Sequence, residues 1–442
     1  MFSINRPAAL LTLAALFGLP DESAAAQTAF ARNYDNGARE LSPRDQLEVQ
    51  GGGLLVCGDS YLTGTAQSRP YLMRLTAAGD VLWCKEYEVL PGFHRAEAIT
   101  EAFPGIYVIL ADVYGVQKPA LFAVNAAGDF LLGRGYTMGS AQLTMDEMLR
   151  TSDGGFLLVG STFRDTTGSD VAVLKLGPLG EVVWYRELVG GILAPLFGSN
   201  DFAVGAVEAL DASGYYVLGS LESDAYLAKL DLDGNVVFER TYRLPGASLF
   251  ERTLGFFEKD GGPGTLIAIA DFANDRFPLI LQVDSAGNLL SSTAGSLGMS
   301  ATKALPTADG GFAIAGSSLI TPGAQGLRLA RYDSTASLQW AFQYDVMLTF
   351  ATINPPANVI QAADGGFLLS VAALAGLDPV QHAVRATPAG ANGCETPLAG
   401  PFPFTVESST TVSSIAAPVV VSVFLTFAQS DLDVVTSVTC IP

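Results

Sequence analysis

The sequence predicts an all-β protein, a seven-bladed β-propeller of four-stranded antiparallel blades. Three observations support this fold class. A short strand motif recurs roughly every 50 residues. A second hairpin containing glycine follows most copies, and the N-terminal segment matches a strand that the last repeat lacks. Repeats of this length, each rich in strands, are typical of propellers or solenoids.

The recurring motif is a turn of Asp and Gly followed by an apolar strand. Asp can hydrogen-bond its own backbone in a turn, and Gly adopts positive φ without strain. A continuous apolar strand indicates that both of its faces are covered. The clear copies are Asp153–Ser161 (DGGFLLVGS), Gly51–Ser60, Asp211–Ser220, Asp309–Ser317 and Asp364–Ser370, and weaker copies are Pro104–Asp112 and Gly261–Asp271.

The third repeat shows how one unit is predicted to fold. Its strands are expected at Glu147–Thr151, Phe156–Ser161, Val171–Leu176 and Val182–Leu188. The turn between the last two strands contains Gly180, where a bulged hairpin needs positive φ. The equivalent turn Asp231–Asn235 (DLDGN) resembles the start of a calcium loop but lacks the downstream ligands, so we expect ordinary turn chemistry there.

The fourth strand of a unit carries a large residue, a cation and an aromatic residue at alternate positions. Trp83, Lys85 and Tyr87 show the pattern. Alternation places these side chains on one face, where they are expected to pack against a neighbouring blade. The seventh unit has no such strand, but Phe30–Tyr34 matches it, so we expect this segment to complete the last blade and close the ring.

The two ends of the chain are expected to lie outside the repeats. Arg6, the apolar stretch Ala8–Leu19 and the small residues Ser23–Ala26 are typical of a secretory signal peptide cleaved after Ala26. The expected organisation is therefore a signal peptide over residues 1–26, a propeller over 27–392 and a small C-terminal β appendage over 393–442. No later stretch is long and apolar enough to span a bilayer. We therefore expect a secreted or cell-surface protein.

The four cysteines fall into two pairs. Cys394 and Cys440 bracket the C-terminal tail, and a disulfide between them is plausible in an oxidising compartment. Cys57 and Cys84 are predicted on the second and fourth strands of one blade. Two strand spacings, about 9 to 10 Å, exceed the reach of a disulfide. Cys57 is therefore expected to be a buried thiol.

Composition excludes several classes of function. The formal net charge is −20, with only 24 Lys and Arg residues, so a surface that follows nucleic-acid phosphates is not expected. The only two histidines, His94 and His382, lie in different repeats, which excludes a multi-histidine metal site. No nucleophile elbow occurs. We therefore predict no cofactor, no metal and no specific catalytic residue, and the sequence leaves the oligomeric state open.

The unit DGGFLLVGST…D…VLKLGPLGEVVWYREL resembles the repeat of secreted bacterial β-propeller proteins, described as delta-60-like repeat or uncharacterised cell-surface proteins. The resemblance covers about residues 28–392. It implies the propeller fold and an exported protein, and it implies no particular reaction. Quinone-dependent dehydrogenases resemble this sequence in carrying Trp in outer strands, but their cofactor site does not map onto it.

Binding is expected on the propeller face that carries the long loops, because variable loops on a rigid scaffold usually form the binding surface. We therefore expect an extracellular binding or structural module for a glycan or protein. The alternatives are a polysaccharide hydrolase or lyase using loop-face carboxylates and, third, a quinone-dependent oxidoreductase. The candidate binding residues are His94, Arg95, Asp112, Tyr114, Arg164, Asp165, Asp170, Asp201, Asp224, Arg252, Asp271, Asp275 and Arg276.

Overall fold

In a computed structural model, the protein forms seven antiparallel sheets arranged as the blades of a propeller. No helix, and hence no helix able to cross a membrane, occurs among the described residues. The predicted signal peptide, Asp165 and Cys394 lie outside them. The structure describes residues 29–35, 39–50, 52–62, 68–88, 93–114, 118–138, 142–164, 168–188, 199–243, 252–259, 264–272, 275–294, 300–321, 324–348, 358–375, 378–391, 395–397, 407–410, 414–416, 421–425, 428–431 and 435–440.

The first four blades follow the chain, and in each the strands run in order from the central channel outward. Blade 1 is Arg39–Glu48, Leu54–Leu62, Ser68–Leu75 and Val81–Glu88. Blade 2 is Phe93–Phe103, Ile106–Tyr114, Lys118–Asn125 and Phe130–Thr137. Blade 3 is Gln142–Arg150, Phe156–Arg164, Gly168–Leu176 and Val182–Leu188, with Ser199–Asn200 pairing beside it. Blade 4 is Phe202–Glu208, Gly214–Leu221, Asp224–Asp231 and Val236–Arg243.

The remaining three blades complete the ring. Blade 5 is Arg252–Phe257, Gly264–Phe272, Asp275–Val283 and Leu289–Ala294. Blade 6 is Ser300–Pro306, Phe312–Thr321, Ala324–Tyr332 and Leu338–Leu348. Blade 7 is Asn358–Gln361, Phe367–Ala375 and Asp378–Ala386, and its fourth strand is Phe30–Asp35 from the N-terminus. The predicted closure of the last blade is confirmed, since Phe30–Asp35 pairs antiparallel with Asp378–Ala386.

The fourth-strand motif joins each blade to the next. Trp83 packs on Gly128 of blade 2, where a Cβ would lie only 2.8 Å from the indole and where the φ of 77° also favours glycine. At five junctions a buried tyrosine hydroxyl donates to the carbonyl of the equivalent turn glycine at 2.6 to 2.9 Å. The predicted packing role of these aromatic residues is thus confirmed. The donor and acceptor pairs are Tyr34 and Gly79, Tyr87 and Gly128, Tyr136 and Gly180, Tyr242 and Gly287, and Tyr344 and Gly390.

The Asp of the recurring turn binds a cation from the third strand of its own blade. In blade 3 the buried Lys175 ammonium donates to both carboxylate oxygens of Asp153, at 2.8 and 3.0 Å. A Cβ on Gly155 would collide with the carbonyl oxygen of Leu176, which explains the second glycine of the motif. Burial raises the pKa of Asp153, but hydrogen bonds from Lys175 and its neighbours outweigh it and lower the pKa to about 2. Equivalent pairs join Asp309 to Arg331 and Asp364 to Arg385.

The predicted C-terminal β appendage is a series of short strands that surrounds the propeller, here called the belt. Each belt strand pairs antiparallel with the outermost strand of one blade, in the order blade 6, 4, 3, 2, 1 and 7. This arrangement covers blade edges that would otherwise expose unpaired backbone groups. The belt strands are Glu395–Pro397, Glu407–Thr410, Ser414–Ala416, Val421–Leu425, Ala428–Asp431 and Val435–Cys440.

Cys57 is a buried free thiol, as predicted, and Cys84, which lies beyond the intervening strand Ser68–Leu75, is also buried and free. Burial raises the pKa of both thiols above the usual range. Both are therefore protonated side chains of the blade core.

Candidate functional site: the central channel

The first strands of the blades line a central channel, and six of them carry a β-bulge at nearly the same height. A bulge leaves one residue unpaired and redirects its side chain. At the inner edge of a blade, the unpaired residue faces the channel. The bulged residues differ in chemistry from blade to blade and are Arg44, Glu97, Asp146, Val204, Leu254 and Thr302 in blades 1 to 6.

Arg44 is the centre of a charged cluster on the loop side of the channel. Its Nε and Nη2 atoms donate to one carboxylate oxygen of the fully buried Asp59, at 3.0 and 2.9 Å. Its Nη1 atom lies 3.8 Å from Glu97. Tyr61 donates to the same Asp59 oxygen at 3.0 Å. The guanidinium therefore bridges carboxylates from blades 1 and 2.

Two carboxyl groups in this region have pKa values raised toward neutral pH, so each is only partly ionised there. Burial raises the pKa of Glu97 to about 7, with a further contribution from the negative charge of Asp59. Partial desolvation by the protein around the channel, together with the charge of Asp112, raises the pKa of Asp146 to about 7. Asp146 is exposed to water in the channel, which screens part of this effect. Arg44 and Arg95 oppose the shift at both carboxyls.

These residues form one site, here called the mouth cluster, on the side of the channel that meets the long loops. Blade 1 contributes an arginine, a carboxylate and a phenol, blade 2 contributes an arginine and two carboxylates, and blade 3 contributes one carboxylate. The mouth cluster consists of Arg44, Asp59, Tyr61, Arg95, Glu97, Asp112 and Asp146.

An ion pair joins opposite walls of the channel below the mouth cluster. The Lys303 ammonium of blade 6 lies 3.0 Å from the Glu147 carboxylate of blade 3. Burial alone would lower the pKa of Lys303, but the charges of Glu147 and Asp45 outweigh it and raise the pKa. Asp45 accepts hydrogen bonds from Asn358 at 2.8 Å and from the Ile99 amide at 2.9 Å. Lys303 is therefore a protonated side chain held between carboxylates.

The other half of the channel, toward the short glycine turns, is an apolar chamber. A cavity of about 580 Å³ lies between the first strands of blades 3 to 6. Glu147 and Lys303 lie at its inner end. The apolar side chains that define the chamber are Leu149, Val204, Val207, Leu254, Phe257 and Leu305, all half-buried.

Of the sequence-based binding candidates, the structure brings Arg95 and Asp112 into the mouth cluster. They lie opposite each other on neighbouring strands, in the same relation as Ser42 and Asp59. His94 lies beside Arg95 at the start of a first strand, not in a loop, and its backbone exchanges hydrogen bonds with the Ser68 hydroxyl.

The other candidates lie apart from the mouth cluster or are described only by their backbone. Asp201 accepts a 2.7 Å hydrogen bond from the Glu222 amide, and Asp224 pairs with Arg243 at 2.8 Å. Asp170 is buried on the third strand of blade 3. The residues placed only by backbone, at the loop ends of strands, are Tyr114, Arg164, Arg252, Asp271, Asp275 and Arg276.

Sequence reasoning missed Arg44, Glu97 and Asp146 because the bulges interrupt the alternation of the first strands. In blade 3 the strand runs from Gln142 to Arg150, five residues earlier at its start than the predicted Glu147–Thr151. In that repeat the available signal was Asp146, a charged residue directly before the predicted start of the strand. No group of three or more residues able to hold a metal occurs among the described residues.

The class that fold and site define is a seven-bladed β-propeller protein with a polar site at one mouth of its channel. No family model matches the chain, and no curated protein matches it. Solved structures similar to it include a protein assigned as a 6-phosphogluconolactonase from Bacteroides fragilis, at 12% identity and a TM-score of 0.45, covering 81% of this chain and 98% of that one.

Two further similar structures are glycosidases. A sialidase from Streptococcus pneumoniae is 9% identical with a TM-score of 0.41, over 80% of this chain and 69% of that one. An α-L-arabinofuranosidase from Fusarium graminearum is 10% identical with a TM-score of 0.39, over 81% and 97%. Structural similarity at this level of sequence identity concerns the fold and not the activity.

Proposed function

We propose that the protein is an exported binding module whose mouth cluster binds a neutral carbohydrate. The observation that carries the proposal is the convergence of guanidinium, carboxyl and phenol groups from three blades at one end of the channel. Few, well-placed polar groups in a concave, preformed site are typical of small-ligand recognition. Carboxylates accept and guanidinium groups donate hydrogen bonds, and adjacent sugar hydroxyls both donate and accept.

The charge of the channel favours a neutral ligand over an anionic one. Even without Glu97 and Asp146, whose pKa values are raised to about 7, its described part carries more carboxylates than cations, so its field disfavours uronates, sialosides and phosphates. The cations are Arg44, Arg95 and Lys303, and the carboxylates are Asp45, Asp59, Asp112 and Glu147.

Glycan-array screening followed by calorimetry tests the proposal. Glu97→Gln keeps the shape of the side chain but replaces the carboxyl group with an amide that cannot ionise, and we expect about tenfold weaker binding of a neutral oligosaccharide. Asp224→Asn is the matched control, because Asp224 lies on the loop side but pairs with Arg243 outside the mouth cluster. Binding only to acidic glycans, or equal losses in both variants, would contradict the proposal.

A second candidate function is hydrolysis of the bound glycan. The observation that favours it is the pair of carboxyl groups whose pKa values are raised to about 7, since glycoside hydrolysis uses a carboxylic acid beside a second carboxylate. A panel of polysaccharides assayed for reducing ends and unsaturated products tests it. Activity that Glu97→Gln removes and Asp224→Asn leaves intact would support hydrolysis, and no product with any bound glycan would exclude it.

Export is part of the same proposal and is supported by the residue pattern of 1–26. Expression with that segment in a secreting host should yield a mature chain that begins at Gln27. A mature protein that begins at Met1 would contradict export by this signal.

A further inference from the structure

The apolar chamber is separate from the mouth cluster and is not needed for the proposed function. Its volume of about 580 Å³ falls within the usual size of small-ligand pockets. It lies on the side of the channel that opens toward the short glycine turns. The crossing ion pair of Lys303 and Glu147 separates it from the loop side.

The walls of the chamber suit an apolar body. Val204 and Leu254 are bulged residues that project from blades 4 and 5, and Phe257 adds an aromatic side chain that also stacks on Phe312. Each remains half-buried and borders the cavity. Covering such surface with an apolar ligand removes it from water and is favourable.

The inner end of the chamber suits a cationic group. One ammonium, Lys303, lies between two carboxylates, Glu147 and Asp45. The Ile99 backbone amide and the Asn358 side-chain amide donate hydrogen bonds to Asp45. Both donors are neutral, so neither offsets the negative charge of Asp45. The three side chains together carry one net negative charge in a narrow channel, where charges act more strongly than in bulk water.

We propose that the apolar chamber is a second binding site, for a small amphipathic molecule with an aliphatic or aromatic body and one cationic head. The head lies beside Glu147 at the inner end, and the body lies along Val204 and Leu254. This site is independent of the carbohydrate site and is reached from the opposite face.

A series of simple amphiphiles tests the proposal by calorimetry on the full-length mature protein. Hexylamine, octylamine and decylamine should bind with affinity rising by up to about fourfold per added methylene. Octanoate, which has a body of similar length with the opposite charge, should bind at least tenfold more weakly than octylamine. Octanol should fall between them.

Two variants locate the site. Val204→Trp fills the chamber and should abolish octylamine binding. Glu147→Gln should weaken octylamine binding about tenfold, so that the affinities for octylamine and octanoate become more similar. Circular dichroism shows whether Val204→Trp folds. If it does not, Ala206→Val is a second variant that fills less of the chamber. Tyr61→Phe in the mouth cluster should leave octylamine binding unchanged.

Several results would overturn the proposal. They are the absence of amine binding, affinity that does not depend on chain length, octanoate binding more tightly than octylamine, or full binding in a folded chamber-filled variant. If the unaltered protein binds octylamine but no neutral glycan, only the carbohydrate proposal is overturned, so the two proposals fail separately.

Discussion

The outer and inner strands of the blades differ in how far their side chains repeat from one blade to the next. At the outer junctions one solution recurs, in which a tyrosine hydroxyl binds the turn glycine of the next blade, from Tyr34 and Gly79 to Tyr344 and Gly390. At the inner bulges the equivalent residues are a guanidinium, two carboxyls, two aliphatic side chains and a hydroxyl. The periphery is largely uniform because the same junction geometry recurs around the ring. The channel is not, since its side chains share no such junction.

The largest effect is expected from removal of the strand that closes the ring. Deleting residues 28–34 from the mature chain removes the pairing of Phe30–Asp35 with blade 7, the Tyr34 hydrogen bond to Gly79 and the Arg32 ion pair with Asp80. We expect the melting temperature to fall by on the order of 10 °C, since several kcal/mol are lost. Differential scanning calorimetry measures it, with a chain beginning at Gln27 as control. An unchanged melting temperature would count against ring closure by this strand.

A smaller effect on the periphery is expected at the ends of the belt. Glu395 pairs with Tyr344 of blade 6 and Cys440 lies opposite Ala31 in blade 7, so the belt begins and ends on adjacent blades. The Cys394–Cys440 disulfide, which stays a prediction, would close the belt and stabilise the fold by about 2–4 kcal/mol. Peptide mapping without reductant should find the linked peptides, and Cys440→Ser should lower the melting temperature without changing glycan affinity. Free thiols at both positions in protein collected from a secreting host would refute the bond.

The channel should differ from the periphery in its response to pH. Lys303→Met leaves Glu147 without its cation, at a cost of roughly 2 kcal/mol, less than for a fully buried pair because the two side chains keep 32% and 26% of their surface exposed. The unpaired carboxyl has a folded pKa above its unfolded value, so the loss is greatest above neutral pH and shrinks as pH falls toward 4. Urea titrations at several pH values measure it. The double variant with Glu147→Gln should recover stability and lose the pH dependence, and a pH-independent loss would argue against the ion pair.

The smallest effect is expected at a single outer junction. Tyr87→Phe leaves the Gly128 carbonyl without its 2.7 Å hydrogen bond and should cost about 1 kcal/mol. Tyr242→Phe should cost a similar amount, and the two losses should add, because the junctions are far apart. Chemical denaturation measures both. Losses that differ several-fold would show that the junctions are not equivalent.

The sequence predicted the periphery well because turn and packing chemistry repeat there. Gly155, Lys85 and Tyr87 each satisfy a local requirement that recurs in most blades, and periodicity therefore indicates them. The mouth cluster could be predicted only in part. Arg95 and Asp112 were named among many loop candidates, whereas Arg44 and Glu97 come together only when bulged strands from neighbouring blades meet at the channel. That convergence is a property of the closed ring and leaves no periodic signal.

The placement of Phe30–Asp35 has a consequence for the order in which the protein acquires its structure. Both strands that flank it, Asp378–Ala386 and Val435–Cys440, lie near the end of the chain. Both edges of Phe30–Asp35 therefore stay unpaired until these two distant strands are available. Such distant contacts are slow to form. Under the export proposed above, the ring would thus remain incomplete until Val435–Cys440 had crossed the membrane.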